Sequence, residues 1–496
     1  MTSNEGYGDV ECVDKFGGQA IRFTNVSNNE SFTFSLILVK GLVVGFNGEL
    51  NDAELIVRRV KRNEPVEFKY RLRCDKFSVL LPLEAGENEF IFYISQYSVK
   101  QTYNYVSVAS SSIVTPVHIL CRDENESPDD DIMPDLREKI ILGCRLIQTL
   151  IAESLYQSGY GKKSFSLENI DPNGNSNCIV FNSDLSVDAM SDMTAEDLWQ
   201  YFGRELMTSK FGSTKRKFVA FVSQKRGKCT KQLAIGGGGL ALCDVQFLET
   251  WPTTFDGLGA CFGYHDVDIN LNLWQKHFVA FSTSLGAVCH ELCHTFDLGH
   301  TLGGIMGRDF DRVSSIFLAV NQPAVVWTSV TDGNGKASKK DSLVISEGTT
   351  RRTLNISYSV NKNPIAEEKS FIEGERVTVH HPNGQHFWSS GCATLLAHHR
   401  WIRGENKASA KSPQNVNSSQ ITMRYDHIRG VITSTYSIVV VQLRRQCGFV
   451  LKSWEFGAKR NKTLFLVPLY EARRASVIVV EDVEGNLLRK DLQNLF

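Results

Sequence analysis

The sequence predicts a multidomain α+β protein of three units: an N-terminal antiparallel β-sandwich over residues 1–121, a central α/β unit over 122–412, and a C-terminal β-sandwich over 413–496. Three observations predict it. The chain has 496 residues, more than one core of ordinary size usually organises. Its two ends carry apolar residues at period two, as half-buried strands do, while the middle carries them at helical spacing. Hydrophobic residues make up 42% and charged residues 22%, values of a globular chain rather than a disordered one.

Between residues 19 and about 120 the runs are strand-like. Phe32, Phe34, Leu36 and Leu38 alternate with more polar neighbours, Ile37 excepted. Val66, Phe68, Tyr70, Leu72 and Cys74 alternate with Glu67, Lys69, Arg71 and Arg73. Further runs, Phe77–Leu83 and Phe90–Ile94, flank the turn sequence Ala85-Gly86-Glu87-Asn88. An acidic stretch from Asp123 to Pro134 follows and reads as a linker. Asp129, Asp130 and Asp131 in it lack the Gly and Glu of an EF-hand loop. Leu136, Ile140, Cys144, Ile147, Ile151 and Leu155 then recur at helical spacing, with Pro134 in the first turn and Gly159 as the stop. Lys217–Ser223 reads as a strand and Ser282–Leu298 as a helix. A polar insertion is expected near 333–385, then a helix around Phe387–Ile402. The strands Val431–Leu443, Thr463–Val467 and Val477–Glu481 complete the chain, with Glu484-Gly485-Asn486 as a hairpin turn.

Lys plus Arg number 54 against 55 Asp plus Glu, a net charge of −1 that excludes a large nonspecific grip on nucleic acid or anionic membrane. No run approaches the length of a membrane span, and the first residues form no secretory signal. Twelve cysteines without framework spacing suit free thiols in a reducing compartment, so a cytoplasmic location is expected and sequons such as Asn25 and Asn461 stay unmodified. The sequence says nothing of oligomeric state.

The chemistry is concentrated in Cys289-His290-Glu291-Leu292-Cys293-His294-Thr295-Phe296-Asp297-Leu298-Gly299-His300. On a helix His290 and His294 project from one face and can hold one zinc ion (Zn2+). Glu291 lies about 100° around the helix, from where its carboxylate reaches a metal-bound water without ligating the metal. His300 returns as a third ligand if the helix ends near Asp297. Three imidazoles leave a fourth position for water, the pattern of a catalytic site, and zinc would bring the pKa of that water toward ~7. A chance HExxH in this chain has odds of roughly one in 70, and a third histidine at fixed spacing lowers them much further.

The pattern His290-Glu291-x-x-His294-x-x-Asp297-x-x-His300 resembles the HExxHxxGxxH of metzincin zinc peptidases. With Gly304-Ile305-Met306 and Arg308-Asp309-Phe310-Asp311 it is similar to a little-studied zinc-metallopeptidase family of fungi and animals. The resemblance implies a metzincin-like α/β zinc-peptidase domain, Met306 in a Met-turn beneath the metal, Glu291 as general base and a peptide or protein as substrate. It also offers Leu240–Asp244 as an edge strand along which a peptide lies, beside the plainer reading of a flexible Gly236–Gly239 turn leading into a strand. Two departures stand out. Asp297 occupies the usual glycine, where the chain must leave the helix through a left-handed backbone, and the Met-turn follows only six residues after His300; nor does a Tyr sit beside Met306 to assist an oxyanion.

Other readings compete at single features. Cys289, Cys293 and His294 spell CxxxCH, one residue longer than a c-type haem attachment, and packing in the core is expected of both cysteines. Gly236–Gly239 lacks the Lys-Ser/Thr of a phosphate loop. His380, His381, His386, His398 and His399 are expected to be loop and helix-face residues before a second metal site. Arg308, Asp309 and Asp311 are expected to brace the Met-turn by ion pairing. From a different class, a zinc-stabilised scaffold that binds partners through its β-units is the alternative, and a hydrolase of non-peptide amides is a third reading.

Overall fold

Two sheets near the N-terminus share one hydrophobic interior. The computed structural model describes residues 20–493 apart from 45–52, 61–65, 73–74, 96, 108–109, 124–132, 169–177, 224–232, 263–270, 320–324, 332–336, 348–349, 356–386, 404–422 and 458–460, with backbone alone for 20, 71, 133–134, 260, 271–276, 325–331, 337–347, 350–355 and 403. One sheet runs Ala20–Phe23, Leu36–Val44, Lys76–Pro82; the other runs Glu30–Phe32, Tyr97–Tyr105, Gly86–Ile94, Glu54–Arg59, Val66–Arg71. Ile37, Val39 and Leu81 of the first pack with Val57, Phe90 and Phe92 of the second. Phe68 and Tyr70 are buried between exposed Glu67 and Lys69, as period two requires.

The run from Phe32 to Leu38 is not one strand. Phe32 ends a strand of the five-stranded sheet, and Leu36 opens one in the three-stranded sheet. Leu36 and Leu38 point away from Ile37 and Val39, into a second core around the helix Met133–Gln157. Both faces of that strand are buried, so polar alternation has no reason to persist. The helix is tied to it by Thr149, whose Oγ1 donates to the Leu36 carbonyl at 2.6 Å. Pro134 is its second residue, and Gly159, at φ 84°, follows its end.

The centre is a mixed sheet in the order Ser166–Leu167, Ile113–Leu120, Arg216–Val222, Leu240–Asp244, Ala234–Gly237, with Ile179–Asn182 also paired to Ile113–Leu120. Its long strands are parallel and only Ala234–Gly237 runs against its neighbour. Two expectations are corrected here. Ile113–Leu120, read from the sequence as part of the N-terminal unit, pairs with Arg216–Val222 in the central sheet. Leu240–Asp244 is an interior strand with every residue buried, and Ala234–Gly237 is the edge. Val219, Phe221, Ala241 and Cys243 face Met133–Gln157 and the helix Leu271–Thr295. Phe218, Ala220, Val222 and Leu242 face Leu198, Phe202 and Leu206 of the helix Ala195–Thr208.

Where a polar insertion was expected, Val325–Thr331, Ala337–Glu347 and Thr350–Asn355 form an antiparallel sheet. Asp129–Asp131, His380, His381 and His386 lie outside the described residues. Near the C-terminus the Val431–Leu443 run divides between two sheets, as Val431–Ser434 and Ile438–Arg444. A register shift between Ile438 and Val440 turns Val439 and Val440 toward the helix Ser390–His398, while Val441 and Leu443 face the three-stranded sheet. Gly485, at φ 74°, makes the expected hairpin turn, with Asp482 Oδ1 accepting from the Glu484 and Asn486 amides. Among the described residues no helix is long and apolar enough to cross a membrane. The whole is a mixed α/β architecture with several antiparallel sheets around one mixed sheet.

Candidate metal centre

His290, Glu291 and His294 lie in the last turns of Leu271–Thr295, one side of which is sealed into the core by Cys289, Leu292 and Cys293, all 0% exposed. Both cysteines therefore behave as small hydrophobes, and burial raises the Cys293 thiol far above its ordinary range. The opposite side is partly open: His290, Glu291, His294 and His300 all retain some exposure.

The helix stops so that His300 can return. Leu298 N donates to Cys293 O at 3.2 Å and Asp297 N to His294 O at 3.1 Å, with Asp297 at φ 61°. This is a Schellman motif with Asp297 in the left-handed position that glycine usually takes. Asp297 is compensated for it. Its carboxylate is 3.7 Å from His399 Nε2, and its carbonyl accepts from Arg444 Nη2 at 2.7 Å. Buried Lys217 donates to the Gly238 carbonyl at 2.8 Å and to the Thr295 carbonyl at the helix end. Burial alone would raise the Asp297 carboxyl, but His399, Lys217 and Arg444 outweigh it and hold it low.

Asp297→Gly is therefore expected to destabilise. Relief of the left-handed backbone returns about 1 kcal/mol, and loss of a charge beside His399 and Lys217 costs about 1.5–3 kcal/mol. A carboxyl held low in the fold stabilises above the ordinary carboxylate range, and that contribution is lost as pH falls through its folded pKa. Urea titrations of both proteins should thus diverge at pH 7 and converge in acid; equal stability at pH 7 would refute the compensation.

The three imidazoles converge. His294 Nε2 lies 3.0 Å from His290 Nε2 and 3.0 Å from His300 Nε2. Each Nδ1 faces a main-chain carbonyl: His290 that of Ile305 at 2.7 Å, His294 that of Leu298 at 3.0 Å, His300 that of Cys447 at 3.3 Å. A proton on each Nδ1 satisfies those carbonyls and leaves three bare Nε2 lone pairs aimed at one point. Lone pairs that close repel unless a cation lies between them, and metal–nitrogen bonds of about 2.0–2.1 Å place ligand nitrogens at a similar separation. Among the described residues this is the group of side chains able to hold a metal ion. Burial lowers all three imidazole pKa values, His290 to about 4, so all are neutral at pH 7, the form that ligates.

Glu291 is held by a separate element. Its carboxylate accepts from the Gly236 amide on the edge strand Ala234–Gly237 and is pushed up to about 8 by burial, the hydrogen bond pulling the other way. Strand and helix touch so closely that a Cβ on Gly236 would lie 2.0 Å from the Glu291 carbonyl oxygen.

Gly304-Ile305-Met306 forms a tight turn, with Gly304 at φ 76° and Gly307 N bonded to Gly304 O at 2.9 Å. Asp309 fixes it through the main chain, its Oδ2 accepting from Gly304 N at 2.7 Å, where the sequence pointed to ion pairing. The turn presents the Ile305 carbonyl to His290, and Met306 is buried at 1%. His398 and His399 are core residues, bonded to the Thr394 carbonyl at 2.9 Å and paired with Asp297. Sequence reasoning missed Gly236, Arg444 and the Cys447 carbonyl. Glycine at 236 was visible, but nothing near residue 447 marks a partner for a histidine 147 residues away.

No curated protein sequence matches the chain. Among solved structures, a carbohydrate acetylesterase from Xanthomonas citri is similar at 9% identity and a TM-score of 0.14, over 66% of this chain and 82% of that one, a likeness too loose to carry an argument. A family model matches residues 20–354, which hold all three histidines, Glu291 and the edge strand. That match covers 335 of the 496 residues, and the chain accordingly belongs to the Metallopep family, described as "Putative peptidase family".

Proposed function

We propose that the chain is a zinc-dependent endopeptidase of metzincin type, with His290, His294 and His300 as ligands and Glu291 as general base. The observation that carries this reading is the convergence of three Nε2 atoms, each with its Nδ1 committed to a carbonyl. Imidazole donors with a free coordination position suit a catalytic zinc. Bound there, zinc supplies Lewis acidity toward a scissile carbonyl and a nucleophilic water at neutral pH. Glu291 takes a proton from the attacking water and delivers it to the leaving amine nitrogen as the carbon–nitrogen bond breaks.

An extended peptide has a partner in Ala234–Gly237, which ends the sheet and passes over Glu291. Main-chain pairing there would bring a peptide bond alongside the carboxylate without selecting side chains. Met306 acts structurally, by way of the turn that holds His290. The free cysteines, buried except for Cys447 among those described, support a reducing compartment such as the cytoplasm.

Metal content by mass spectrometry tests the reading. The wild type is expected to hold about one zinc per chain, with clear loss in His300→Ala. Absence of tight metal after zinc is added back would overturn it, and the zinc-stabilised scaffold with it, and would turn attention to the β-units.

A further inference from the structure

The third ligand is not held by the segment that supplies the other two. His290 and His294 take their geometry from one helix and from carbonyls at Ile305 and Leu298. His300 is held by a turn of the C-terminal β-unit, between the strands Ile438–Arg444 and Val450–Glu455. His300 N donates to Gly448 O at 3.1 Å, Val450 N donates to His300 O at 2.9 Å, and the ring Nδ1 meets Cys447 O at 3.3 Å. The same turn grips the approach to His300. Arg444, 3% exposed, donates to the Asp297 carbonyl, and Gln442 Oε1 accepts from its Nε and Nη2 at 3.0 and 2.6 Å. Gly299 passes so near that a Cβ there would lie 2.5 Å from Gly448 O and 2.9 Å from Arg444 Nε.

We infer that the turn Arg444–Val450 is a positioning element of the metal centre, which sets His300 and thereby metal affinity from outside the matched segment 20–354. The inference rests on the metal-site reading above. Gly448 is its most sensitive point: at φ 85° it adopts a backbone that side chains rarely tolerate, with its Cβ direction 3.9 Å from His300 Nδ1. A side chain there shifts the turn and with it the carbonyls at 447 and 448.

The test is Co2+ titration of the metal-free full chain, read by visible ligand-field absorption, for wild type, Gly448→Ala, Gly457→Ala and His300→Ala. Gly457 is a control in the same unit, at φ 67° with open space around its Cβ position. Gly448→Ala is expected to bind Co2+ about 10–100-fold more weakly, as loss of a ligand's outer partner does. Its spectrum should move toward that of His300→Ala, while Gly457→Ala keeps the wild-type spectrum. A turn that only stabilised the fold would lower the melting temperature and leave the spectrum alone. If Gly448→Ala does not fold by circular dichroism, Arg444→Gln carries the same expectation. Wild-type affinity and spectrum in the folded variant overturn the inference. A wild type that gives no saturable Co2+ spectrum overturns the metal reading itself, and the positioning role with it.

Discussion

Glu291→Gln is expected to reduce peptide hydrolysis by about 10²–10⁴-fold, the range for loss of a general base, while zinc stays bound. Glutamine preserves the shape of the side chain and can still accept from Gly236, but it takes no proton from water. The three imidazoles are untouched, so metal content by mass spectrometry should match wild type. Turnover of a peptide-library substrate is the second readout. Full activity with zinc in place would sink the assignment of Glu291. Cleavage of neither peptides nor small amides by the wild type would favour the scaffold. The pH profile adds a signed expectation. Burial holds the carboxyl near 8, and a base works only when ionised, so the rate climbs as pH rises through that pKa. A cation on the imidazoles stabilises the carboxylate, so the acid limb of the zinc enzyme should fall below 8, and the glutamine variant should lack it.

The candidate site was legible in the sequence because its residues are local. His290, Glu291 and His294 share helical turns, and the left-handed Asp297 follows from the need to bring His300 back within six residues. Strands with one wet face, such as Val66–Arg71, were legible for the same reason. What failed was whatever depended on a second buried face. Leu36–Val44 lost its alternation between two cores. Leu240–Asp244 was offered by the resemblance as an exposed edge beside its glycines, yet its apolar run Leu240–Cys243 is what an interior position demands. The true edge, Ala234–Gly237, contains Gly236 and Gly237, whose missing side chains give no pattern to read. Main-chain carbonyls are invisible in principle, since every residue has one; Cys447 could be found only in the fold.

Gly236→Ala is the second substitution with a large expected effect. Its Cβ would meet the Glu291 carbonyl oxygen at 2.0 Å and the Glu291 Cα at 2.8 Å, both main-chain atoms that no rotamer can move aside. Either the edge strand lifts or the metal helix shifts. Overpacking of this kind costs about 1–3 kcal/mol or more, and either movement also disturbs the amide that holds the carboxylate. Gly237→Ala, next in the same strand, is the comparison. Its nearest atom is on the Trp199 ring at 3.7 Å, an ordinary contact, and the substitution should be close to neutral. Thermal denaturation should separate the two, and turnover should fall only in Gly236→Ala. Equal behaviour would mean that the helix and strand are not held as closely as described.

The distance along the chain between His300 and the turn that meets it has a consequence for biosynthesis. Cys447 is made 147 residues after His300. At a translation rate of about 5–20 residues per second, that gap lasts roughly 7–30 s. Throughout it, the nascent polypeptide displays the HExxH helix without the carbonyls that aim its remaining histidine. A growing chain thus passes through a stage in which the three histidines have been made but the turn that meets His300 has not.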